Sequence, residues 1–166
     1  RRMTVPHSNQ ASGGCTGKTG ESCSIKCAHG YSGGGITTCQ ASNSEFPPVK
    51  CSPLKCDPYT VQYSDHATKA CAGSTDDSCT VKCDQGYSGD GTATCKGTSA
   101  TASAWSATLE CTPKPCTEKI IKQYKSDSGK VCNGATEEMC SYQCHKGYTD
   151  TSGTEGKTIC QPTGKF

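Results

Sequence analysis

The sequence predicts an all-β chain built of small disulfide-rich modules, three tandem copies of one unit joined into a semi-rigid rod. Three observations predict this class: a shortage of large apolar residues, sixteen cysteines, and a cysteine framework that recurs three times. Leu, Ile, Val and Phe supply fourteen of 166 residues, about 8%, well below the ~20% at which an ordinary hydrophobic core becomes doubtful. Composition alone would then give a disordered chain, but a cysteine content of about 10% is that of a disulfide scaffold, in which covalent staples replace the missing core. Disulfides persist in oxidising compartments, so an extracellular setting, secreted or at a cell surface, is expected.

The repetition fixes the organisation. Glu21-Ser-Cys-Ser-Ile-Lys-Cys-Ala-His-Gly-Tyr-Ser-Gly-Gly-Gly-Ile-Thr-Thr-Cys39 matches Asp77-Ser-Cys-Thr-Val-Lys-Cys-Asp-Gln-Gly-Tyr-Ser-Gly-Asp-Gly-Thr-Ala-Thr-Cys95, and a more diverged third copy runs from Glu138 to Cys160. The copies occupy residues 1–51, 52–111 and 112–166. The middle copy has six cysteines, Cys56, Cys71, Cys79, Cys83, Cys95 and Cys111, separated by 14, 7, 3, 11 and 15 residues. Copy one lacks the first of these and copy three the last. That pattern predicts either a window cut from a longer array or ends that complete their frameworks with a neighbouring molecule.

The elements follow in order. Around Ile25, Val81 and Tyr142 each apolar residue alternates with polar ones and shares a face with its two flanking cysteines, which is strand periodicity. The glycine-rich segments after Tyr31 and Tyr87 tolerate positive φ and are predicted turns into the next strand. Lys119–Tyr124 reads equally as a short helical turn or as an edge strand. The copies meet at Cys51-Ser-Pro-Leu-Lys-Cys56 and Cys111-Thr-Pro-Lys-Pro-Cys116, linkers that reach only ~12 Å in polyproline geometry, so adjacent copies should touch or nearly touch. Formal charges of +3, −3 and +2 for the three copies read first as solvated surface and second as a source of end-to-end contacts.

At this point the residues resemble a known family. Cys83-Asp-Gln-Gly-Tyr-Ser-Gly-Asp-Gly-Thr-Ala-Thr-Cys95, followed by Trp105 and Cys111, resembles the sushi or complement-control-protein module, with Phe46 and Phe166 standing where the outer copies would carry the tryptophan. The resemblance spans essentially the whole chain. It departs from the family in an extra cysteine pair per copy and in low hydrophobicity, as in variant forms from extracellular repeat proteins of unicellular eukaryotes. A growth-factor-like module competes, because Gly-Tyr-Ser-Gly-Asp-Gly is common near its end. Its close cysteine pair, shorter final loop and acidic calcium motif are absent here.

Six cysteines allow fifteen connectivities, and sequence alone does not choose among them. The sushi resemblance implies Cys56–Cys95 and Cys83–Cys111 in copy two, with the extra pair Cys71–Cys79. Carried to the other copies, it implies Cys15–Cys23, Cys27–Cys51, Cys116–Cys160 and Cys132–Cys140. Cys39 and Cys144 are left over, with partners expected outside this stretch of sequence or on another chain.

Other chemistry is weakly supported. Zinc sites favour close cysteine pairs, whereas the recurring gap here is three residues and His29 and His145 are not equivalently placed, so no metal or other cofactor is expected. Catalysis is not expected either: His7, His29, His66 and His145 follow no repeat pattern, and no nucleophile motif occurs. Gly33–Gly35 lacks the Lys-Ser/Thr of a phosphate loop. Asp76, Asp77, Asp84 and Asp90 read as a solvated acidic face, since they lack ordered calcium-ligand spacing. Tyr31, Tyr87 and Tyr148, with Phe46, Trp105 and Phe166, are the expected small-core aromatics, the tyrosines packed over disulfides. No Asn-x-Ser/Thr sequon occurs, while 41 Ser and Thr make the runs at 98–103 and 149–154 candidates for O-linked glycan. Balanced charge disfavours nucleic acid, and no apolar run approaches the ~20 residues of a membrane span. No apolar stretch follows Arg1 and Arg2, so no signal peptide is expected here and, given the cysteines, one is expected to have been removed or to lie upstream.

Two functions remain. The first is a structural repeat protein, a building block of a fibril, appendage or coat that self-associates or continues a longer array. The second is an adhesin or receptor ectodomain presenting a protein or glycan site.

Overall fold

The computed structural model describes residues 2–121, 130–144, 146–149 and 155–166. Tyr124, His145 and residues 150–154, on which parts of the sequence reading fall, lie outside them.

The fold is all-β, with small antiparallel sheets and no helix among the described residues. In copy one, β1 (Ser22–Ile25) and β3 (Gly35–Thr38) form one ladder, while β2 (Tyr31–Gly33) pairs with β4 (Cys51–Pro53). In copy two, β5 (Lys55–Tyr59) pairs with β6 (Cys71–Ser74). There β7 (Ser78–Val81), β9 (Gly91–Gly97) and β10 (Ser103–Trp105) make a three-stranded sheet. The short β8 (Tyr87–Ser88) pairs with β11 (Thr112–Pro113). In copy three, β12 (Lys119–Ile121) pairs with β13 (Lys130–Cys132), and β14 (Met139–Gln143) with β15 (Glu155–Ile159).

The alternation around Ile25, Val81 and Tyr142 is the alternation of β1, β7 and β14. On the inner face of β7, Cys79 and Val81 are buried while Ser78 and Thr80 are exposed. On the outer face, hydroxyls pair across the ladders, Ser22 with Thr38 at 2.9 Å and Ser78 with Thr94 at 3.2 Å, the cross-strand contact that half-exposed sheets favour. Lys119–Ile121 is an edge strand and not a helical turn.

Two elements differ from the sequence reading. The Gly-Tyr-Ser segments do not simply turn, because Tyr31–Gly33 and Tyr87–Ser88 are strands. Their partners are the linkers, which are strands and not polyproline spacers. A short strand end tolerates Pro53 and Pro113, since the ladder asks little of their missing N–H groups.

The chain divides into two compact units, and each holds one linker. Unit one comprises Arg1–Tyr59, Ala70–Thr80 and Thr92–Thr108; unit two comprises Thr60–Lys69, Val81–Gly91 and Leu109–Phe166. Unit one contains the disulfides Cys15–Cys23, Cys27–Cys51, Cys56–Cys95 and Cys71–Cys79. Unit two contains Cys83–Cys111, Cys116–Cys160 and Cys132–Cys140. These are the seven pairs that the sushi resemblance implies. Cys39 and Cys144 carry no disulfide. Apolar cores are correspondingly small: in copy one Val5, Ile25 and Phe46 gather around Cys15 and the buried Cys39, with Met3 and Val49 at the margin.

Candidate functional site

In the β6–β7 turn of copy two, Thr75 is followed by Asp76 in the left-handed region at φ 74°. The Asp76 N–H donates to Cys95 O at 2.8 Å, and the Ser74 N–H to the Asp77 carboxylate at 2.7 Å. Those bonds fix the turn and leave the Asp76 side chain pointing outward. Copy three builds the same turn from Thr136 and Glu137, at φ 72°, with Glu137 N–H donating to Cys160 O at 2.9 Å. The αL position strains a residue with a side chain by about 1–2 kcal/mol, so an acid held there twice has a use.

In unit one the use is visible. Tyr31, buried at 7% exposure, donates its hydroxyl to the Asp76 carboxylate at 2.6 Å. Its ring stacks on His7 with centroids 4.1 Å apart and planes 9° from parallel. Beside it, the buried Thr75 hydroxyl donates to Gly30 O at 2.6 Å. The Thr75 N–H donates to Leu54 O, and the Leu54 N–H in turn to Gly30 O. A side chain on Gly30 could not fit, because a Cβ there would lie 2.5 Å from the Gly97 Cα and 2.7 Å from the Thr75 hydroxyl, and its φ of +82° already selects glycine.

Unit two repeats the arrangement residue for residue. Tyr87 has Glu137 beside it and stacks on Tyr63 at 4.3 Å and 7°. Thr136 donates its hydroxyl to Gly86 O at 2.8 Å, and the Lys114 N–H donates to the same carbonyl at 2.7 Å. A Cβ on Gly86, at φ +90°, would meet the Pro162 Cα at 2.8 Å. Each site is therefore a joint. A Gly-Tyr pair from one copy, the middle of the linker, and a Thr-acid turn from the next copy close on one another through one buried threonine hydroxyl, with a tyrosine–carboxylate bond added in unit one.

The electrostatics agree. The hydrogen bond to Asp76, then burial, push the Tyr31 phenol up to about 12. For Tyr87, burial comes first and Glu137 second, again to about 12. The Tyr31 bond is to a carboxylate, the stronger kind of hydrogen bond.

The remaining aromatics have a common seat. Phe46 approaches Gly17, Trp105 approaches Gly73 and Phe166 approaches Gly134, each within 3.4–3.5 Å of where a Cβ would stand. Phe46 is buried. Trp105 and Phe166 are only half-buried, and the Trp105 indole donates to Asp57 O at 2.8 Å with Tyr59 edge-on at 5.8 Å. Tyr148 departs from the expected core set: it is 50% exposed. Tyr31 and Tyr87, by contrast, are buried beside the Thr-acid turn of the following copy.

The sequence reading missed the joint. It took Asp76 and Asp77 as solvated acids, which their exposure allows, without linking Asp76 to a tyrosine 45 positions away. The available signal was Thr75-Asp-Asp77 and Thr136-Glu-Glu138 at matching places, with Thr19-Gly-Glu21 as the odd one.

No protein-family model matches the chain, and no curated protein matches it.

Proposed function

We propose that this chain is a non-enzymatic, extracellular structural repeat protein made of variant sushi-like modules, a building block of a fibril, appendage or surface coat. The observation that carries the reading is the joint made twice, each time with a threonine hydroxyl on a glycine carbonyl beside a stacked tyrosine. Its residues are spent on holding adjoining copies together and present no reacting group. Seven disulfides fit an oxidising compartment, and the Ser/Thr run at 98–103 offers hydroxyls for O-linked glycan. The test is non-reducing peptide mass spectrometry of native protein, reading what Cys39 and Cys144 are bonded to. Bonds to another chain or to further sequence support an assembled array. Two free thiols, or a Cys39–Cys144 bond, sink it.

A second reading, recognition of a protein partner, has its own support in unit two. Where copies one and two place Ser22–Thr38 and Ser78–Thr94, copy three pairs Met139 with Ile159, 57% and 43% exposed. Ile120 and Val131, also cross-strand partners, are exposed as well. Exposed apolar pairs are a feature of binding faces. Saturable binding to a protein or glycan array that Met139→Ser and Ile159→Thr together abolish would establish this reading; absence of any binding would remove it.

A further inference from the structure

We infer that the extra cysteine pair, Cys71–Cys79 in copy two and Cys132–Cys140 in copy three, is a corner brace that presets the Thr-acid turn for its seat on the preceding copy. The inference goes beyond the function proposed above and does not rest on it.

The turn is a corner between two sheets. In copy two the arm before it, β6, pairs with β5, and the arm after it, β7, pairs with β9. In copy three β13 pairs with β12, and β14 with β15. Among the described residues no ladder joins β6 to β7 or β13 to β14. A disulfide crosses that gap each time, linking cysteines eight positions apart. Thr75 and Thr136, whose hydroxyls make the joints, stand at the centre of the two closed loops.

Cys56–Cys95 also ties the two sheets of copy two, through β5 and β9, and copy one separates the two contributions. Its Cys39, the counterpart of Cys95, carries no disulfide, while Cys15–Cys23 closes the loop across the same eight positions. The turn nevertheless has the same form. Gly20 is left-handed at φ 86°, against 74° for Asp76 and 72° for Glu137. Its N–H donates to Cys39 O at 2.9 Å, as Asp76 donates to Cys95 O and Glu137 to Cys160 O. The Glu21 carboxylate accepts the Lys18 N–H at 2.7 Å, as the Asp77 carboxylate accepts that of Ser74. A Cβ on Gly20 would meet nothing within 4 Å, so this turn takes its form with nothing lying over it at that point. The disulfide common to all three turns is the extra pair. A loop already shaped by a covalent tie has less freedom to lose on docking, so Thr75 and Asp76 reach Gly30 O and the Tyr31 hydroxyl without a further ordering step.

The test removes one brace at a time from the full chain and reads each joint by hydrogen exchange. C71A/C79A is expected to speed exchange of the Leu54 and Thr75 N–H groups by about tenfold or more and to move the late-ionising Tyr31 component down, with the Lys114 N–H unchanged. C132A/C140A is expected to do the reverse, exposing the Lys114 N–H and sparing Leu54. C15A/C23A, a pair of equal spacing in copy one, should leave both joints near wild type. Mass spectrometry verifies that the other six disulfides form in each variant, and the β1–β3 and β7–β9 ladder amides report the surrounding fold. Wild-type protection of Leu54 in C71A/C79A overturns the inference. So does an equal loss at Leu54 in C15A/C23A. Loss of the ladder amides together with Leu54 also overturns it, because the pair would then hold the fold and not the joint. None of these outcomes touches the structural reading, which falls instead on the bonding of Cys39 and Cys144.

Discussion

The Tyr31 hydroxyl lies 2.6 Å from the Asp76 carboxylate, a bond between two copies that sequence separates by 45 positions, and Glu137 stands beside Tyr87 at the corresponding place. In both, the acid sits on a left-handed residue whose N–H is tied to a disulfide-bonded cysteine, Cys95 or Cys160. The joint is thereby anchored to the covalent frame on the acceptor side and to the linker on the tyrosine side. This coupling makes the joints, rather than the thin cores, the sensitive points of the molecule.

Removing the tyrosine hydroxyl at a joint differs from removing one elsewhere. Tyr31→Phe should lose about 1 kcal/mol or less, the net worth of a hydrogen bond trimmed by solvent at Asp76. Tyr59→Phe should be neutral or slightly stabilising, because the Tyr59 hydroxyl is buried with no hydrogen-bond partner among the described residues. Thermal unfolding of the two variants reads the contrast; equal losses would contradict it.

The buried threonine should matter more than the exposed acid. Thr75→Val keeps the volume but withdraws one of two donors from Gly30 O, where the bond is 2.6 Å and the Leu54 N–H remains, at a cost of about 0.5–1.5 kcal/mol, the net worth of a hydrogen bond. Thr136→Val should behave alike through Gly86 O. Hydrogen exchange is the readout: the Leu54 N–H in the first variant and the Lys114 N–H in the second should lose protection, and retained protection would rule the role out.

Glycines of the same conformation should differ in tolerance according to what faces them. Gly30→Ala meets both positive φ and the Gly97 backbone, and should cost more than the ~1–2 kcal/mol of left-handed strain alone. Gly20→Ala and Gly147→Ala meet nothing within 4 Å and should cost only that strain. Chemical denaturation midpoints order the three variants, and Gly30→Ala should come last.

Alkaline pH should loosen the joints. Tyr31 and Tyr87 titrate near 12 when folded, raised from an ordinary 10.0. A raised folded value means the stabilisation is fully present below pH 10 and is lost as pH climbs through about 12. Spectrophotometric titration should show late-ionising phenols from Tyr31 and Tyr87. Tyr31→Phe should remove one late component, and an unchanged late component would contradict the assignment.

Much was legible in order. Fold class followed from apolar poverty and cysteine density, because a chain with fourteen large aliphatic and Phe residues has only covalent closure to hold it. Strand positions around Ile25, Val81 and Tyr142 followed from period-two burial, which is local. What tertiary structure alone decided is everything that depends on one copy touching the next. Pairing of Tyr31–Gly33 with the linker, the seating of Asp76 on Tyr31, and the exposure of Tyr148 are contacts between distant positions, carried by backbone turns whose handedness a composition or a spacing does not encode. By itself the sequence determined three copies of one framework and its strand pattern; the structure determined that the copies are joined by a threonine, a tyrosine and an acid, since only folding brings those groups within hydrogen-bond reach.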